Sequence, residues 1–174
     1  MANMTLPDEH IFSRDFARTT AALAFVLLAT SLMNIVVFPQ FDAVFTYARD
    51  VSVLASSVAL IAIGLAAAFR PSLLRVCVLQ RGAIGCLAAG AVLLPLSLHA
   101  SNAIGLTVAA SLAAVGRSWI VVAVGMAASR FTLRQTGLCV ALAFVAYYLM
   151  TALAWVVPAA AGIALFLLLP FASL

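Results

Sequence analysis

Residues 103–129 read AIGLTVAASLAAVGRSWIVVAVGMAAS, an apolar run broken by a single charge, Arg117, near its middle. About 20 such residues suffice for a helix to cross the hydrocarbon core of a bilayer. A run this long predicts a span that tilts or projects beyond the lipid. Working outward, the same pattern recurs. On the N-terminal side it gives Thr19 to Phe38 (TTAALAFVLLATSLMNIVVF), Val51 to Phe69, and Gly82 to His99. The third run starts earlier if Pro71 opens a helix. On the C-terminal side it gives Thr136 to Val157 and a last, shortest run from Ala159 to Leu174. Pro39, Pro71 and Pro158 are expected to end the first, second and fifth helices. HASN (99–102) reads as a tight turn and SRFTLRQ (129–135) as a loop. Pro95 and Pro170 are expected to kink their helices. The expected architecture is all-α: a polar tail over residues 1–18 and a six-helix transmembrane domain over 19–174.

Composition agrees. Of 174 residues, 67% are hydrophobic and 8% charged. A soluble domain is about half apolar and about a quarter charged. The chain could not cover a globular surface with polar groups, which excludes a soluble enzyme, a disordered chain and a secreted disulfide scaffold.

The charges are unevenly placed. All nine basic residues are Arg, and all five acids (Asp8, Glu9, Asp15, Asp42, Asp50) lie in the first fifty residues. Six spans with the N-terminus inside put Arg14, Arg18, Arg70, Arg75, Arg81, Arg130 and Arg134 in the cytoplasm and only Arg49 outside. That is a strong positive-inside bias, and it makes both termini cytoplasmic. Cys77, Cys86 and Cys139 then face a reducing compartment, where a structural disulfide is not expected. Tyr47 and Trp155 suit an outer aromatic belt. A nucleic-acid footprint would need a soluble basic face, so this chain is not expected to bind nucleic acid directly.

Arg117 is the expensive residue. A central Arg costs about 2.5–3.5 kcal/mol on insertion scales, so it must face other helices or water. No acid lies in any span to neutralise it. Depth along the helices makes Thr30 and Asn34 on span one, Ser56 and Ser57 on span two, and Tyr147 and Tyr148 on span five its expected neighbours. Three readings stay open. The guanidinium snorkels or caps helix-end carbonyls, it binds a small anionic ligand, or it meets another subunit. The candidate ligand set is Arg117, Asn34, Ser56, Tyr147 and Tyr148. Elsewhere, Gly82, Cys86 and Gly90 on span three, with Ala110, Ala114, Gly125 and Ala128 on span four, form small-residue stripes that let helices approach closely.

Several chemistries lack their residues. There is no P-loop, no nucleophile triad, no paired intramembrane carboxylate and no metal-ligand spacing. No enzyme activity, cofactor or metal is expected.

The Leu-Leu-Pro runs VLLPLSL (92–98) and LLLPFASL (167–174) sit near the ends of third and sixth helices. Three plus three helices on this plan resemble the N-terminal half of a major facilitator transporter. In the loop GLAAAFRPSLLR from Gly64, Ala68 and Pro71 stand where that family's signature has Asp and Gly. The stretches YARDVSVLASSVALIAIGLAAAFRPSLL (47–74) and SLAAVGRSWIVVAVGMAASRF (111–131) resemble the membrane half of bacterial LuxR-type regulators. Those regulators join a facilitator-like bundle to a helix-turn-helix domain. The resemblance implies a sensory or regulatory module in the bacterial inner (cytoplasmic) membrane, with half of a small-molecule transporter as the alternative. The implied partners are the lipid bilayer, a small anionic ligand, and a second half-bundle or further copies. The short last run, ending FASL without a basic anchor, gives the further expectation that the chain is a fragment or one half of an obligate oligomer.

Overall fold

A computed structural model describes residues 13–42, 44–154, 156 and 158–174. Helix is the only regular secondary structure among the described residues, with no strand. Helix α1 (Arg14–Leu32) opens before the expected Thr19, because the Ser13 hydroxyl accepts from the Phe16 N–H at 3.1 Å and caps it. Pro39 does not end this helix. A π-helical turn (Met33–Val37) follows and the rod continues as α2 (Phe38–Asp42). Pro39 has no N–H to donate and its ring crowds the carbonyl four residues back. A wider π turn just before it absorbs that misfit.

Four more long helices follow: α3 (Ala48–Phe69), α4 (Val76–His99), α5 (Ala103–Ala128) and α6 (Leu133–Ala154). A 3-10 turn (Pro71–Leu74) joins α3 to α4. Asn102 caps α5 by accepting from the N–H groups of Ile104 and Gly105, both at 3.1 Å. Helix α6 starts earlier than expected, behind a reciprocal cap. The Gln135 side chain accepts from the Thr132 N–H, and the Thr132 hydroxyl accepts from the Gln135 N–H.

Among the described residues, five helical rods, with α1 to α2 counted as one, are long and apolar enough to cross a membrane. The sixth, α7 (Ala159–Ala172), has 14 residues. At 1.5 Å per residue it is about 21 Å long, short of a 30 Å core. The six expected crossings thus become five of full length and one short apolar helix. Pro95 and Pro170 lie inside α4 and α7. Trp155 lies outside the described residues.

The helices form two groups. In one, α5 packs most extensively on α4 and then on α3. In the other, α1 packs on α6 and α7. Contacts of α1 with α5, and of α4 with α7, join them. The main core lies at this junction. It is built from Leu32, Val37 and Phe41 of the first rod, Leu94 of α4, Leu106 and Ala110 of α5, and Phe166 of α7.

The small-residue stripes mark the α4–α5 seam as expected. A Cβ on Gly90 would sit 3.1 Å from the Ala113 backbone nitrogen, and one on Gly116 would sit 2.7 Å from Leu87 Cγ. Such spacing brings the two backbones together. Gly125 lies off the seam, with nothing within 4 Å of its would-be Cβ. Helices α3 and α6 are largely uncovered. They expose Leu54, Val58, Ile61 and Leu65, and Val145, Leu149 and Leu153 respectively. Apolar surface on this scale suits lipid rather than water.

Candidate functional site

Arg117 follows Gly116 on α5 and so points away from the α4 seam, towards the first rod and α3. It lines a cavity of about 190 Å³ with Thr30, Met33, Asn34, Ser52, Ser56 and Ser118 among the other walls. Its guanidinium is poorly satisfied. Nη2 donates to the Met33 sulfur at 2.7 Å, and the Phe166 ring centroid lies 5.5 Å from Cζ. A thioether is a weak acceptor, and the ring face offers modest cation–π attraction. Nε is buried with no hydrogen-bond partner. No carboxylate pairs with it among the described residues. Arginine brings five donors and a fixed charge, so most of its capacity is unused by the protein.

The polar wall groups are mostly occupied. Thr30 Oγ1 donates to the Val26 carbonyl at 2.9 Å, and Asn34 Nδ2 to the Thr30 carbonyl at 2.9 Å. Ser56 donates to the Val53 carbonyl at 3.0 Å, as does Ser57, which is not part of the cavity wall. Ser118 donates to the Ala114 carbonyl at 3.0 Å and across to the Ser56 carbonyl at 3.3 Å, tying α5 to α3. These hydroxyls and the Asn34 amide keep oxygen lone pairs free, but none of those oxygens reaches the guanidinium.

The π turn shapes the site. It places Met33 and Asn34 at consecutive positions, one against Arg117 and the other on an exposed wall. A second cavity of about 380 Å³ adjoins the first across Asn34 and Phe38, lined also by Pro39, Asp42, Thr46, Arg49 and Asp50. It lies at the α2 end of the bundle. The charged rim and the Arg117 cavity thus share a wall at Asn34 and Phe38.

Of the expected ligand set, the structure brings Arg117, Asn34 and Ser56 together. It does not bring Tyr147 and Tyr148 to them. Helix α6 packs on α1, with no comparable packing on α5. Tyr148 is 65% exposed, and both tyrosines cluster with Phe144 on their own helix. Arg117 is expected between spans one, two and five; the first rod and α3 do line its cavity, and α7, through Phe166, stands in place of span five. Met33 and Phe166 had no signal in the sequence, because apolar residues near a charge look like any other core residues. The Pro39 misfit could have drawn notice to the turn that holds Met33. Among the described residues, no group of three potential metal ligands occurs.

No family model, curated protein or solved structure matches the chain.

Proposed function

We propose that the chain is an integral-membrane sensory or regulatory module that holds a small anionic ligand against Arg117. One observation carries this reading: a guanidinium with a buried, unpartnered Nε, no acidic partner and a cavity beside it. Burying a charge is costly unless it is paired. An intramembrane cation kept without a counter-ion is suited to receive one. The ligand would bias how the first rod, whose π turn carries Met33, sits against α5, which carries Arg117. That is the differential contact a sensor needs. The reading also draws on the resemblance of residues 47–74 and 111–131 to the membrane half of LuxR-type regulators, in which such a bundle is joined to a DNA-binding domain. The five long apolar spans support a membrane location, and the arginine distribution supports reading it as a bacterial inner membrane with Arg70, Arg75, Arg130 and Arg134 on the cytoplasmic side.

The test is done on the full chain in nanodiscs. Small organic anions should protect Ser56→Cys from thiol reagents and quench no label on the far face of α6. Net flux of the same anions across proteoliposomes would instead support half of a facilitator-type transporter. Absence of both protection and flux would reject the ligand site.

A further inference from the structure

The ligand's chemistry can be narrowed, on the reading that Arg117 is a ligand site. The cleft has a direction. Towards α2, its wall carries Asn34, Ser52 and Ser56, and the adjoining rim carries Asp42, Arg49 and Asp50. Away from α2, one to two helical turns beyond the guanidinium, its wall is Val26 of α1, Leu60 of α3 and Val121 of α5. The α2 side also carries Phe38 and Val53, so Arg117, with Thr30 and Ser118 near its level, sits where a mixed wall gives way to an apolar one. The cavity offers about 190 Å³, room for several water molecules and so for a small molecule.

From these observations we infer that the cleft binds a small organic monoanion, a carboxylate with a short apolar chain. It enters from the α2 end with its head on Arg117 and its chain against Val26, Leu60 and Val121. A single guanidinium balances one negative charge, and its planar fork matches a carboxylate. Binding replaces the Met33 sulfur, a weak acceptor, with an ionised one. A chloride ion would satisfy the charge but leave the apolar end of the cavity unfilled. A multiply charged phosphate would bring charge that no second basic residue in the cavity wall meets.

The test uses the full chain in nanodiscs and ligand-observed NMR, with empty discs as blank. The probes are acetate, butyrate and hexanoate, with hexylamine and chloride as controls. Affinity should rise about fourfold per methylene as the chain is buried, levelling once the cavity is full. Arg117→Gln should weaken hexanoate at least tenfold. Val121→Trp, which fills the apolar end, should abolish the chain-length dependence and spare acetate. Equal binding of acetate and hexanoate, with displacement by chloride, would overturn the carboxylate assignment and leave an anion site standing. Loss of hexanoate binding in discs of anionic lipid would overturn it in favour of a lipid headgroup. Binding of hexylamine, or hexanoate binding indifferent to Arg117→Gln, would overturn the site itself.

Discussion

Gly116 and Arg117 are neighbours in the chain and belong to opposite kinds of surface. Gly116 faces α4 at a seam so close that a methyl group would strike Leu87. Arg117 faces α1 and α3 across a space it does not fill. One side of α5 is packed to backbone contact, while the other keeps an undersatisfied charge beside a cavity. On that second side α5 is held to α3 by packing and by the Ser118 hydroxyl, around the cavity rather than across it.

The contrast can be broken most severely on the sealed side. Gly116→Leu puts a bulky side chain where a Cβ would lie 3.1 Å from the Leu87 backbone nitrogen. Overpacking a tight core costs about 1–3 kcal/mol, occasionally more, and this backbone cannot step aside. We expect a loss at the upper end of that range, read as a large fall in thermal stability in detergent. On the open side the sign reverses. An uncompensated buried charge is costly, and an apolar residue of similar length removes that cost. Arg117→Met should therefore raise the melting temperature while removing anion binding. A destabilised Arg117→Met protein would mean that the charge is structural.

Two smaller changes sharpen the comparison. Gly90→Ala meets the Ala113 nitrogen at 3.1 Å and the Ala109 oxygen at 3.2 Å, both backbone atoms. About 1–2 kcal/mol should be lost. Gly125→Ala meets nothing within 4 Å. It should be neutral or gain up to about 1 kcal/mol from helix propensity. Equal effects of the two substitutions would dissolve the distinction between seam and open face.

The apolar runs carried most of the fold, because span length and hydropathy act along the chain. Arg117 was conspicuous for the same reason: it is the one charge in the middle of a long apolar run. What surrounds it was less legible. Tyr147 and Tyr148 share its depth, but depth does not say which helices touch, and α6 lies against α1. Pro39 reads as a stop because proline lacks a donor, yet a π turn carries the helix past it and delivers Met33 to the guanidinium. The earlier start of α6 rests on the Thr132–Gln135 cap, a spacing present in the sequence but hidden inside a loop bounded by arginines. The closeness of α4 to α5 was legible from Gly82 and Gly90, since small residues at helical spacing have one main structural use.

The most direct measurement of the Arg117 site is the charge preference of its cleft. Ser56→Cys, in a background with Cys77, Cys86 and Cys139 replaced by Ser or Ala, would be reacted with anionic and with cationic methanethiosulfonates of similar size. A guanidinium without a counter-ion should make the anionic reagent the faster of the two, relative to their rates on a free thiol, and Arg117→Gln should erase that preference. A faster cationic reagent, or a preference that survives Arg117→Gln, would contradict an unpaired Arg117 at the floor of an accessible cleft.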